Sequence, residues 1–224
     1  MWLTVIAQVS NPRLLQFLGG AALAAGVNIV EAAEVVGMHS TQGRVSGVST
    51  SQGDFSAGNI VVSAGAWTGA MPGLASLASR VFPVRGQMLL FKLPQEVLPS
   101  IVLKNGAYLI PRKDGHVLAG STLEWSGFDK TTTEAARHEL LAFAAGILPS
   151  LSELVLARHW SGLRPGSPDN IPVIGAHPDY ANLYINSGHF RYGVTMSPGS
   201  AKLLADLIEG KSPAIPAEPY LVPR

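Results

Sequence analysis

"GHFRYGVTMSPGSAKLLADLIEG", residues 188–210, sets a histidine, aromatic side chains and an arginine between Gly188 and Gly193, then runs into an apolar-periodic segment. That segment predicts a helix. Ser197 serves as N-cap, Pro198 occupies a first position where a missing N–H costs nothing, Leu203, Leu204, Leu207 and Ile208 form the apolar face, and Gly210 follows the end. The start of such a helix carries roughly half a positive charge on its unpaired N–H groups, so an anionic group is favoured beside it. Gly188 and Gly193 allow backbone to approach a flat ligand closely. On the residues alone, the same glycines equally serve a tight strand-to-helix connection.

Immediately upstream, "HWSGLRPGSPDNIPVIG" (residues 159–175) places Arg164 at a strand end before a rigid Pro-Gly turn, and "IPVIG" and "LYINSG" read as short buried strands. An arginine so placed can grip a carboxylate bidentately, worth about 1.5–3 kcal/mol, or form an ordinary salt bridge. Residues 81–163 carry the longer strands "VFPVRGQMLLFKL", "GAYLIPR", "HVLAGST" and "LVLARHWSGL", with one helix near residues 133–148. These read as a separate antiparallel sheet. "GAYLIPRKDGHVLAGST" is a hairpin, with Tyr108 in its first strand and Asp114-Gly115 in its turn.

Nearer the start, "NPRLLQFLGGAALAAG" reads as a helix with Asn11 as N-cap, Pro12 first and Gly26 past the end, its face formed by Leu14, Leu18, Ala21, Ala22 and Ala25. Between residues 27 and 63, Val- and Ile-rich strands are broken by "TQGR", "SQGD" and "SAGN", the turn chemistry of a meander. "NIVVSAGAW" ends an apolar strand on a glycine. The chain thus leaves one domain and returns to it. The expected division is 1–80 and 164–210 for one domain, 81–163 for the other, and 211–224 for a tail on the surface.

Composition narrows the function classes. With 47% apolar and 14% charged residues and a net charge of +1, the chain reads as soluble and globular, without the basic stripe of a nucleic-acid binder. Partners are expected to be small molecules or proteins, with no nucleic acid and no membrane. The absence of cysteine excludes disulfides, thiolate metal sites and a cysteine-linked cofactor, and fits a reducing compartment, so a cytoplasmic location is expected. The opening "MWLTVIAQV" lacks a basic n-region and is not read as a signal peptide. The six histidines show no metal-ligand spacing, and no Ser, His and Asp set stands out, so neither a metal site nor a hydrolase centre is expected.

Taken together, "VVSAGAWTG", "FPVRGQM", "YLIPRKDGHVLAGST", "HWSGLRPGSPDNIPVIG" and "GHFRYGVTMSPGSAKLLADLI", in this order and spacing, resemble the C-terminal part of the D-amino-acid oxidase family of flavoproteins. Its glycine oxidases of thiamine biosynthesis are the nearest likeness, from about Val9 to Gly210. The resemblance implies a mixed α+β and α/β fold: an antiparallel substrate-domain sheet plus a partial FAD domain that lacks the N-terminal dinucleotide-binding βαβ unit. It implies non-covalent FAD, a small amino-acid substrate and O2. Arg164 matches the arginine that grips the substrate carboxylate, Tyr108 a tyrosine of the same pocket, and Arg191 a second pocket residue. His189, Phe190, Arg191, Tyr192, Gly193, Val194 and Thr195 match the backbone that wraps the isoalloxazine, the following helix pointing at the side where reduced flavin is negative. Val35 in "EAAEVVG" matches the residue whose backbone meets the adenine, and Ala64 and Gly65 the strand end near the cofactor. Tyr192 stands where asparagine is common, and Met196-Ser197-Pro198 where an alanine precedes the proline, which bears on substrate size.

No residue is implied as an acid or base, because the cofactor supplies the hard step. The G-x-G-x-x-G turn of a dinucleotide fold is absent from these residues, since no two glycines lie two positions apart. The reading therefore expects exposed apolar surface where that unit would pack, and a homo-oligomer or an N-terminal FAD-domain partner. Two function classes stay open: an FAD-dependent amino-acid oxidase, with D-amino-acid dehydrogenase or sarcosine-type oxidase chemistry as variants, and a non-catalytic remnant or half of a split oxidase that serves as a binding module.

Overall fold

The computed structural model describes residues 7–93 and 98–222. The Val-rich run after residue 34 folds as a meander of three antiparallel strands, β1 (Val35–Thr41), β2 (Arg44–Thr50) and β3 (Gly53–Ser56). The β1–β2 turn is made at Gln42 and Gly43, both at positive φ (53° and 72°), as a tight hairpin with right-handed twist requires.

β4 (Ile60–Val62) belongs to a second sheet, order β10-β11-β4. It pairs parallel with β11 (Leu183–Ser187), which pairs antiparallel with β10 (Val173–Ala176). The chain therefore leaves this unit after β4 and comes back to it at β10. Val45, Val62, Leu74, Leu77, Leu183 and Ile185 form the core between the two small sheets. Asn182, 2% exposed, joins them: its Oδ1 accepts from the Val45 N–H at 2.8 Å, and its Nδ2 donates to the carbonyls of Val45 and Gly58. Fully paired, a buried amide of this kind fixes one arrangement rather than penalising burial.

The intervening residues build a five-stranded antiparallel sheet in the order β6-β7-β8-β5-β9, from β5 (Phe82–Lys92), β6 (Val102–Lys104), β7 (Ala107–Pro111), β8 (His116–Gly120) and β9 (Leu156–Gly166). Alternation gives it two unlike faces. Leu89, Phe91, Leu109, Val117 and Ala119 point to one side and pack on Leu140 and Ala144 of α2 (Glu134–Ala145). That helix is capped by Thr133, whose Oγ1 accepts from the Ala136 N–H. The opposite face carries Gly86, Gly120 and Gly162.

Several local expectations are corrected. The last helix, α3 (Gly193–Ile208), starts four residues before Ser197, with Tyr192 as N-cap, so Ser197 and Pro198 lie inside it. A proline there leaves the Val194 carbonyl without its helical donor, and the Ser197 hydroxyl supplies one at 3.0 Å. Its apolar face is as expected, with Leu203 and Leu204 buried against Ile174. Pro165 and Gly166 extend β9, facing Pro83 and Phe82, and make no turn; β9 is an edge strand, where a proline's missing N–H is tolerated. The first helix, α1 (Asn11–Ala24), has Ser10 as N-cap, and none of its residues is buried: Leu15, Phe17, Leu18 and Leu23 are exposed. In the tail Val222 is only 7% exposed and joins the core. No helix among the described residues is long and apolar enough to cross a membrane.

Candidate active site

The glycine-bearing face of the large sheet provides a floor on which long side chains lie flat. Arg164, in β9, extends across Gly86: a Cβ built on that glycine would stand 2.0–2.4 Å from the guanidinium atoms of Arg164. Tyr108, in β7, lies over Gly120 in the same way, at 2.9 Å from such a Cβ. Larger residues at either position would fill the space these groups occupy, which is the meaning of glycine inside an otherwise bulky strand.

The Arg164 guanidinium is oriented by the segment that follows β8. Its Nη2 donates to Ser121 Oγ at 2.6 Å and its Nη1 to the Thr122 carbonyl at 3.2 Å. No carboxylate of the described residues pairs with it, so donors remain for an anion from outside. Burial lowers its pKa, the neighbouring Tyr108 opposes that, and the nearby Arg191 adds to it. Arg191 reaches the same place from the loop after β11, with Nη2 3.4 Å from the Gly106 carbonyl. Two cations beside one phenol form a positive pocket suited to a carboxylate.

The holding segment is itself braced from the α2 side of the sheet. Thr122 Oγ1 accepts from the Gln87 N–H at 2.8 Å and donates to Glu124 Oε1 at 2.5 Å. Glu124 Oε2 accepts from Arg85 Nε and Nη2 at 3.0 and 2.7 Å, and both its oxygens accept from Gln87 Nε2. Burial by itself would raise the Glu124 carboxyl, but hydrogen bonds from Thr122, Arg85 and Gln87 overcome it and hold the group below the usual carboxylate range. Gln87 also accepts from the Thr133 N–H at the cap of α2. Gly86, Gly120, Ser121, Thr122, Arg85, Gln87 and Glu124 were not singled out from the sequence. Only the lone glycine within "FPVRGQM" offered a signal.

The loop from 188 to 192 is pinned at its middle, at His189 and Phe190. Phe190 donates its N–H to the Pro165 carbonyl at 2.9 Å while holding φ at 47°, a conformation that costs a bulky residue about 1–3 kcal/mol. His189 Nε2 lies 2.8 Å from Ser200 Oγ, and burial pushes its pKa down, which favours the neutral ring. Gly193, Val194 and Thr195 form the first turn of α3, not a loop, and no acidic residue or side-chain cap serves that turn. Its N–H groups are thus open to an anionic or electron-rich ligand beside exposed Tyr192.

Val35 and Ala64 lie elsewhere, in a second cavity of about 500 Å3 bounded by β1, β4 and Trp67, which none of Tyr108, Arg164 and Arg191 enters. Gly65 bridges the two places. Its carbonyl accepts from Thr68 Oγ1 and from Ser187 Oγ, and Ser187 directly precedes Gly188. Among the described residues there is no cluster able to hold a metal ion.

Comparison with known proteins shows what this arrangement is similar to. The profile of the family described as "FAD dependent oxidoreductase" matches residues 1–207. The glycine oxidase of Pseudomonas putida is 45% identical over 221 residues, 98% of this chain and 60% of that protein. A "Bifunctional protein ThiO/ThiG" of Trichormus variabilis is 34% identical over 94% of this chain and 32% of its own length. The crystal structure of glycine oxidase from Geobacillus kaustophilus superposes with a TM-score of 0.87 at 33% identity, covering 97% of this chain and 59% of that one. The chain thus spans about three fifths of the length of the glycine oxidases it matches.

Proposed function

The chain belongs to the FAD-dependent oxidoreductase family, and from that premise we propose that it acts in the FAD-dependent oxidative deamination of a small amino acid such as glycine. Thiamine biosynthesis is the setting that the likeness to a protein named ThiO/ThiG supports, and the cytoplasm is where this reading places it. The observation that carries the reading is the half-buried Arg164, laid over Gly86, aimed by Ser121 and Thr122 and left without an acidic partner among the described residues. The residues fit the family's cofactor in two respects: an α3 first turn with no cap or acid, and a cavity at Val35 and Ala64 of the kind a flat base can enter. When bound, FAD supplies the acceptor for the hydride of the substrate Cα, with O2 reduced to H2O2 and the imine hydrolysed by water.

The chain's own residues do the rest. Arg164 takes the substrate carboxylate bidentately, for about 1.5–3 kcal/mol, with Arg191 beside it and Tyr108 closing the wall. This fixes the amine and Cα and converts encounter into an oriented complex. The N–H groups of Gly193, Val194 and Thr195, with the dipole of α3, favour negative charge where the ring system would lie. Residues 81–163 serve as the substrate domain, and residues 1–80 and 164–210 as part of the FAD domain.

The test is flavin binding by the full chain, alone and with the glycine-rich FAD domain of a glycine oxidase added, followed by peroxide release with glycine, sarcosine and D-alanine. Flavin fluorescence quenched on binding, and peroxide that disappears in Arg164→Gln, are expected. Flavin that stays unbound in both mixtures overturns the enzymatic reading in favour of a non-catalytic binding module.

A further inference from the structure

The open face of the large sheet is divided by one row of side chains. Register sets Tyr108 of β7, Gly120 of β8, Met88 of β5 and Trp160 of β9 side by side across four adjacent strands. Gly120 would leave a gap in this row, and the Tyr108 ring lies over it. The Tyr108 hydroxyl reaches Met88, donating to its Sδ at 3.9 Å. At the other end Arg158 stacks on Trp160, with its guanidinium carbon 5.5 Å from the ring centroid. Together these groups make a ridge running square to the strands.

The two sides of the ridge are unlike. Two residues back along β5, Gly86 stands opposite Gly162 of β9 and lies under the Arg164 guanidinium. Two residues on, Leu90 stands opposite Leu118 of β8, which in turn pairs with Ile110. Those three side chains form the apolar floor of a cavity of about 750 Å3, and Tyr108, Met88 and Trp160 form its wall. Neither Gly86, Gly162 nor Arg164 lines that cavity. Residues 8–13 lie along its edge, tied down where Arg112 donates to Gln8 Oε1 at 2.9 Å and to the Val9 carbonyl. An apolar chamber thus adjoins the carboxylate pocket and is shut off from it.

Met88 is the weak point of the wall. On this face of β5 no other side chain stands between Gly86 and Leu90, because the alternate residues point away. Tyr108 has a glycine bed and Trp160 a stacked cation, whereas Met88 is unbranched and meets Tyr108 through one weak sulfur contact.

We infer that Met88 sets the size limit of the substrate, an inference that rests on the carboxylate role proposed for Arg164. A tail growing along β5 from a carboxylate held over Gly86 is stopped at the ridge, so small acids fit and unbranched apolar tails do not enter the cavity. Shortening Met88 opens the ridge and adds the cavity to the site.

Ligand-detected NMR titration of the full chain with acetate, butanoate and hexanoate tests this without cofactor or turnover. Wild-type affinity is expected to stay level along the series. In Met88→Ala it should rise with length, by up to about fourfold for each methylene that enters the cavity, with acetate unchanged. Met88→Val, a better strand former, should show a smaller rise and serves if the alanine variant is unstable. Met88→Leu, which restores the bulk, should return the level profile, as a general loosening of the fold would not. A level profile in both shortened variants, or a wild-type rise as steep as theirs, overturns the role of Met88 and leaves that of Arg164, provided Arg164→Gln weakens acetate. A rise that persists when Met88→Ala is combined with Arg164→Gln puts the tails on another apolar surface and overturns it as well. Acetate that does not bind, or binds equally to Arg164→Gln, overturns the carboxylate assignment and the role of Met88 with it.

Discussion

The two faces of the large sheet are built from alternate residues of the same strands, yet they do opposite things. On the α2 side, Leu89, Phe91, Leu109 and Ala119 are each fully buried and meet a helix. On the other side, Gly86 and Gly120 remove bulk so that Arg164 and Tyr108 can lie down and leave polar edges exposed to a ligand. One residue of offset separates packing from chemistry. The stability of this sheet is therefore expected to be written on the odd-numbered positions of β5 and its ligand affinity on the even-numbered ones.

Substitutions on the two faces separate these quantities. Phe91→Ala should cost the fold about 3–5 kcal/mol, read as a lower midpoint in urea unfolding, and any carboxylate affinity retained by the folded fraction should be unchanged. Gly86→Ala should do the reverse. The added Cβ meets only the far end of Arg164, which can swing away, so the unfolding midpoint should hold within about 1 kcal/mol while carboxylate binding falls about tenfold or more. A variant that lost both together would show that the faces are not independent.

Glu124→Gln is a subtler probe, because Glu124 belongs to the packed side yet holds Thr122, whose carbonyl helps aim Arg164. The Glu124 carboxyl is depressed below its ordinary 4.5, so its contribution is present above about pH 4.5 and is lost as pH falls through the lower folded value. Half-buried His189, also depressed, ionises more readily in the unfolded chain, so stability begins to decline below its ordinary 6.5. Unfolding free energy measured against pH should fall in both windows for the wild type, and the lower one should be flattened by Glu124→Gln.

Much of the local structure was legible. The Asp114-Gly115 hairpin and the turn at Gln42-Gly43 follow from local turn chemistry, and the helix near residues 133–148 from its own stretch, although its Thr133 cap is seen only in the fold. The start of α3 was misplaced because Ser197-Pro198 has the chemistry of a helix start, whereas here the same serine repairs the gap that its proline makes. The glycine floor was hidden for another reason. The floor forms only when β5 pairs with β9 and β8, setting Gly86 opposite Gly162 and Met88 opposite Gly120, which no single stretch reveals. The brace around Glu124 gathers residues from 85 to 133, so it exists only once the sheet has formed. Tyr108, Arg164 and Arg191 were named from a likeness, and their adjacency is something only the folded chain displays.

The first helix has a separate bearing on how the molecule breathes. α1 has 14 residues, two central glycines and no buried side chain, so within the described residues it draws almost nothing from the tertiary structure, and an isolated helix of that length is marginal in water. Its amide protons should exchange with solvent long before those of β5 or β11, and the bond after Arg13 offers trypsin an early cut. The ordered body from β1 onward then behaves as the cooperative unit, with α1 as a local equilibrium beside it.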